Sequence, residues 1–286
     1  MIYNSYEVAK IIGVNVSTIK RWADSGKIKC FKTRGGHRKF HLKHLREFVK
    51  SDKKGHTSLN LSSLVGKSSK LLKAIDSADS KLISSYIFDS LVKGDKNKFI
   101  SLTNSLIIKG FPFYYIFDEI ILPTLVKIGE EWRANKLSIT EEHLASEVIK
   151  KFLSSVDNKV VSSKISKNAF CFTLSNDKHD IPLLMAEVIF NQIENVFTFN
   201  LGANLPVSDF INESSKIVPH IIFISIVYVE DIDIANNELK LLLSHFKDSG
   251  TKIFLSGNAL KMLDVDPSSF TQINSFEELQ QNILKL

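Results

Sequence analysis

The spacing of apolar positions changes character three times along the chain. Between residues 5 and 28 the apolar positions Val8, Ala9 and Ile12, then Val16, Ile19 and Trp22, recur at helical spacing around Gly13–Val14. This predicts two short helices joined by a tight turn, with Gly13 taking a positive φ, Asn15 or Ser17 capping the second helix and Gly26 stopping it. The stretches 28-IKCF-31 and 38-RKF-40 then flank 32-KTRGGH-37 as hairpin strands, and 42-LKHLREFVK-50 predicts a closing helix. Residues 1–50 therefore predict a winged helix-turn-helix. Residues 51–78 are polar and rich in Ser and Lys, which predicts a flexible linker running into a short helix. From 79 to 157 a helical period returns, predicting helices over 79–93, 95–109, 112–134 and 139–156 and hence a four-helix bundle. From 168 to 286 short apolar runs alternate with amphipathic stretches. Strands are expected at 169–174, 196–200, 221–229, 252–255 and 270–273, and helices at 182–193, 206–216, 235–246, 258–263 and 276–285. That βα alternation predicts a doubly wound parallel sheet of the flavodoxin or Rossmann type.

Charge sharpens this division. The chain has 286 residues and a net charge of +6, a length that suggests two or three domains. Residues 1–56 hold 14 Lys+Arg against 4 Asp+Glu, so the head carries +10 and the remainder −4. A basic head on a mildly acidic body places polyanion binding in the head. The second helix offers Ser17, Thr18, Lys20 and Arg21 to base edges of double-stranded DNA. The hairpin offers Arg34, His37, Arg38 and Lys39 to phosphates or the minor groove. No basic start with an apolar core marks a signal peptide, and the longest apolar run, 221-IIFISIVYV-229, is too short to span a membrane. Cys30 and Cys171 form no metal-ligand or disulfide pattern, which points to a reducing cytoplasm. No G-x-S-x-G elbow is present, and an enzyme is not expected.

Two places carry candidate chemistry. In 129-GEEWRANKLSITEEHLASEVI-149, Ser138 and Glu141 can form a capping box that starts a helix just after Trp132. Trp132, Glu142 and His143 can then meet at one end of the bundle, where an aromatic plate, a carboxylate and an imidazole suit a flat polar group. The alternative leaves Trp132 in the core and the other two on the surface. In 175-SNDKHDIP-182, His179 lies in the loop after the first strand of the sheet. That is the edge where doubly wound sheets bind ligands. Asp177 can hold one ring nitrogen of His179 and leave the other for a metal. No second cluster supports a zinc cage, and a single protein ligand suits a metal already held in its own macrocycle.

Here the residues resemble known families. VAKIIGVNVSTIKRWADSGKI followed by TRGGHRKF resembles the DNA-binding domain of MerR-type regulators. The 177-DKHDIP-182 loop resembles the D/E-x-H-x-x-G loop of cobalamin-binding domains, whose histidine is the lower axial ligand of cobalt. The segment 201-LGANLP-206 resembles the stretch after their second strand. Ser225 in 224-ISIV-227 resembles their Ser-x-Leu serine, beside the buried nucleotide tail, and Gly257 in 256-SGNAL-260 resembles one glycine of their Gly-Gly turn. Trp132, nine residues, then Glu142-His143 resembles the W-x9-EH pattern of light-responsive, MerR-type cobalamin regulators of the CarH/LitR kind. The resemblance implies a homo-oligomeric repressor, a dimer or tetramer. It would hold adenosylcobalamin between bundle and sheet and release DNA when light cleaves the cobalt–carbon bond. Cobalamin-binding residues would be Trp132, Glu142, His143, Asp177, His179, Ser225 and Gly257. Pro182, Val227 and Ser256 depart from the family pattern. They motivate one alternative, a cobalamin-independent regulator whose C-terminal domains serve oligomerisation or protein binding. The bundle-plus-sheet pair also resembles methyltransferase cobalamin modules, which gives a further alternative, a cobalamin-dependent methyltransferase or mutase module.

Overall fold

The computed structural model describes residues 2–51, 59–156 and 167–286, and the chain divides after Val156 into two units. In the first unit, β1 (Ile2–Asn4) leads into α1 (Ser5–Ile12) through a capping box. The Asn4 side chain accepts the Tyr6 and Glu7 amides, and Glu7 accepts the Asn4 amide at 2.7 Å. Gly13 ends the helix at φ 74°, and Asn15 caps α2 (Val16–Asp24) by accepting Ser17 N at 3.0 Å. β2 (Phe31–Lys32) and β3 (Arg38–His41) form the hairpin, and α3 (Leu42–Ser51) follows it. β3 also pairs with β1, a strand too short for alternation to reveal, giving the antiparallel order β1-β3-β2. The hairpin starts later than the apolar pattern predicts. Ile28 is 1% exposed and donates its amide to Trp22 O at 3.2 Å, so it belongs to the core beneath α2.

Part of the expected linker, 52–58, lies outside the described residues. The rest contains α4 (Ser62–Val65) and α5 (Ser69–Asp76), with Leu61, Leu71, Ala74 and Ile75 buried. The bundle comprises α6 (Ser80–Val92), α7 (Lys96–Lys109), α8 (Phe113–Ile116), α9 (Leu122–Arg133) and α10 (Ile139–Val156). The single helix expected over 112–134 is interrupted by a π-helical turn, Phe117–Ile121. Pro123 supplies the reason: it has no N–H to offer the Glu119 carbonyl, so the ladder slips and Leu122 N donates to Phe117 O. Ser84 donates its hydroxyl to the Glu119 carbonyl at 3.3 Å. The head packs on this bundle through α3 against α7. Asn104 Nδ2 donates to the Tyr3 hydroxyl at 2.9 Å, and the Arg46 guanidinium lies 4.7 Å from the centre of the Phe113 ring.

The second unit is a parallel sheet of β4 (Lys167–Phe172), β5 (Val196–Gly202), β6 (Ile221–Ser225), β7 (Lys252–Ser256) and β8 (Thr271–Ile273). Its spatial order is β5-β4-β6-β7-β8, the 2-1-3-4-5 flavodoxin-like order, with the direction of winding reversing between β4 and β6. The connecting helices are α11 (Ile181–Phe190), α12 (Val207–Ser214), α13 (Ile232–Phe246) and α14 (Phe276–Leu284). The helix expected over 258–263 is present as a 3-10 helix, Asn258–Met262. β6 stops at Ser225 although the apolar run continues to Val229. The amides of Val227 and Tyr228 turn away from the ladder and donate to Asp177 instead. Alternating strand residues fill both faces: Phe172, Ile224 and Leu255 join α12 and α13 in one core, and α11 packs against α14.

Candidate functional site

The reversal of strand order puts two loops side by side at the carboxyl edge of the sheet, those after β4 and after β6. Asp177 ties them together. Its side chain is fully buried; one oxygen accepts Val227 N at 2.8 Å and Tyr228 N at 3.1 Å. The other accepts His179 N at 3.1 Å and lies 2.7 Å from His179 Nδ1. A carboxylate so surrounded by donors only accepts, so Nδ1 carries the ring proton and the imidazole lone pair sits on Nε2. The His179 side chain is 53% exposed, so the ring projects from a rigid base toward the surface. This is the arrangement in which a carboxylate orients a histidine for a metal.

Other groups, invisible to spacing arguments, hold the loop. Asn204 adopts φ 59°, its amide donates to Asp177 O at 3.0 Å, and its side chain accepts Asn176 N at 2.7 Å. Glu238 of α13 accepts Ser175 Oγ at 2.6 Å. Tyr228 sets its ring 6.4 Å from that of His179. The asparagine in 201-LGANLP-206 is the sole advance signal for any of these, since a left-handed turn favours it. Ser225, at 2% exposure, lies in register with Ser256 on the neighbouring strand. Gly257, expected to approach a ligand, approaches the chain: a Cβ there would stand 2.2 Å from the Ile226 carbonyl oxygen.

In the bundle, α9 ends at Arg133 and α10 begins at Ile139, so Trp132, Glu142 and His143 share one end of this helix pair. The expected capping box is present: Ser138 N meets Glu141 at 2.8 Å and Glu141 N meets Ser138 Oγ at 3.2 Å. Glu142 holds His143 Nδ1 at 2.6 Å and accepts Ser146 Oγ at 2.8 Å. Trp132 is 42% exposed, with Ile139 and Leu144 also exposed nearby in sequence. At that exposure the indole is not part of the bundle core.

On the head, Ser17, Lys20 and Arg21 are exposed and Thr18 is half-buried along α2; Arg34 and His37 are exposed at the hairpin tip and Lys39 is half-buried. Arg38 plays a different part from its neighbours. Its Nη2 lies 2.6 and 2.7 Å from the two Asp24 oxygens, bracing the hairpin to the end of α2 and holding the Asp24 carboxyl below its ordinary range. Its charge is therefore partly spent within the head. Lys27, not singled out by the sequence, lies over Trp22 at 4.4 Å.

Each unit thus presents one set whose chemistry suits a corrinoid: in the second, His179 held by Asp177, and in the first, the exposed Trp132 beside Glu142-His143. Among the described residues no group of three His, Cys, Asp or Glu could hold a metal by itself, and no helix is long and apolar enough to cross a membrane. Residues 86–156, the bundle, match the B12 binding domain family, and residues 2–53 match a helix-turn-helix domain family. No curated protein matches the chain. Among solved structures, the Methanosarcina barkeri monomethylamine corrinoid protein is 13% identical, with 72% of this chain and 98% of that chain covered at a TM-score of 0.56. A cobalamin-binding protein from Desulfitobacterium hafniense DCB-2 is 16% identical over 80% of this chain and 98% of its own, at a TM-score of 0.33. The methanol:cobalamin methyltransferase complex MtaBC from Methanosarcina barkeri is 12% identical over 70% and 84%, at 0.31. The first of these likenesses is one of fold. A helix-turn-helix domain and a B12 binding domain therefore stand in one chain, the second followed by a parallel α/β domain.

Proposed function

We propose that this protein is a MerR-type transcriptional regulator, a light-responsive repressor of the CarH/LitR kind, that senses adenosylcobalamin and is not an enzyme. The observation that carries the reading is the Asp177–His179 pair, built at the reversal point of a sheet in a chain that also carries a basic helix-turn-helix head. His179 would ligate cobalt through Nε2, with Asp177 fixing the ring. Trp132, Glu142 and His143 would contact the adenosyl group, Trp132 as a plate and Glu142 as an acceptor. The cofactor, when bound in its adenosyl form, supplies a light-labile cobalt–carbon bond. Bundle residues in contact with an adenosyl group would pack differently once it leaves, and the contact of α3 with α7 would pass that difference to the head. More than one copy would act at the operator, because linked heads raise the effective concentration of the next contact.

The test incubates the protein with adenosylcobalamin in the dark, desalts it, records the visible spectrum, then illuminates it and measures operator retention. Retained cobalamin bands that change on illumination, with DNA released, are expected. A colourless protein that binds DNA equally in light and dark would sink the reading and leave a cobalamin-independent regulator. That second reading is favoured by one observation, the closed turn at Gly257.

A further inference from the structure

We infer that this site takes a corrinoid by its metal and ring alone and leaves the nucleotide tail outside the fold, so that tail-less cobinamides are ligands as good as cobalamin. The inference rests on His179 as the lower ligand. Cobalt has one lower position. If His179 Nε2 fills it, the benzimidazole of cobalamin is displaced, and its ribose-phosphate tail needs a place. The tail hangs from the same face of the ring, so a buried place would open beside the His179 loop, between α11 and the ends of β6 and β7.

The chain itself occupies that region. α11 begins at Ile181, two residues after His179, with Pro182 in its first turn; Ile181 is 8% exposed, and Leu183 and Met185 are fully buried. A proline there has a fixed φ suited to a helix start, so the loop does not run on as an extended wall. Ser256 is the register partner of Ser225 and points to the same face, so its side chain adds bulk where the family turn has a glycine. The turn after β7 is shut on β6: Ile226 N donates to Ser256 O at 2.7 Å and Ala259 N to Ile226 O at 3.1 Å. The close approach that Gly257 permits, at φ 107°, is between these two segments. The open groove beside α11 lies on its β5 side, about 580 Å³ in volume, and its Asp180 and Glu187 carboxylates would repel a phosphodiester.

The experiment titrates the protein in the dark with adenosylcobinamide and with adenosylcobalamin, following the visible spectrum and equilibrium dialysis. Free adenosylcobinamide has no base of its own, so a change from its yellow colour to the red of a nitrogen-ligated form reports a protein ligand directly. Expected are affinities within about threefold of each other, well under the tenfold that 1.4 kcal/mol of tail contact would give, and loss of the red form in His179→Ala. Cobalamin binding more than about tenfold tighter than cobinamide would overturn the tail-out inference and leave the cobalamin-sensor reading standing. Failure of both corrinoids to bind would overturn both. Cobinamide that binds but stays yellow would overturn His179 as the ligand, and the inference with it.

Discussion

Asp177 carries more than one duty, and its replacement separates them. Asp177→Asn keeps one acceptor but turns an amide toward donors that now lack a partner, the Val227 and Tyr228 amides or the His179 ring. The second unit should lose about 1–3 kcal/mol, read by urea unfolding. Corrinoid affinity should fall about 10- to 100-fold, the usual cost of losing a histidine's supporting carboxylate. Charge in the head makes a separate prediction. Burial, then His41, lowers the pKa of His44, and burial, then Lys43, lowers that of His41; His44 Nδ1 accepts His41 N at 3.3 Å. For both the folded-state pKa lies below the unfolded value, so the unfolded chain protonates first. Head stability is then full above about pH 6.5 and lost as pH falls through the folded values. Thermal unfolding between pH 7.5 and 5 should show this slope, and His41→Gln/His44→Gln should flatten it. The Asp177–His179 pair was legible because its partners lie two residues apart. Its other half, two amides about fifty positions away, was not, since backbone donors leave no trace in residue type.

Two glycines show how local packing decides what an element tolerates. Gly36, at φ 78°, has nothing within 4 Å of an added Cβ, whereas at Gly257 the Cβ would meet the Ile226 backbone. Gly36→Ala should cost about 1 kcal/mol from conformation alone, and Gly257→Ala the roughly 1–3 kcal/mol of a forced backbone plus displacement of the β6 end. Comparing the two variants by chemical denaturation checks the contrast; equal losses would refute the closed turn. The helical and strand elements were largely legible from period, because bundle helices and buried strands obey it closely. The exceptions have individual causes. Pro123 sits inside a periodic stretch, and its missing N–H produces the π turn that apolar spacing does not register. The apolar run 221–229 holds its period past the point where Val227 and Tyr228 leave the sheet.

Across the whole chain, the division into basic head, bundle and α/β unit was written in charge and period. The docking of head on bundle was not. It joins Tyr3 to Asn104 across 101 positions, and neither residue type announces such a partner. Tyr3 is 7% exposed and Asn104 2%, and burial pushes the Tyr3 phenol up to about 12, so it stays protonated and hydrogen-bonded through the ordinary pH range. Tyr3→Phe should cost about 1 kcal/mol. Combined with Arg46→Ala, which removes the contact over Phe113, it should let the head tumble faster than the bundle, measured by ¹⁵N relaxation. Wild-type protein should give one correlation time for both. If the proposed reading holds, a head fastened in this way would gauge distance as well as sequence. Where two copies sit side by side on a duplex, the separation and rotational phase of their recognition helices follow from the bundles, not from a slack tether. Adding about 5 base pairs between half-sites turns the second one to the far side of the helix, since a full turn takes 10–10.5. The docked protein should lose its footing there and recover it at a full added turn, an alternation that the loosened double variant should blur.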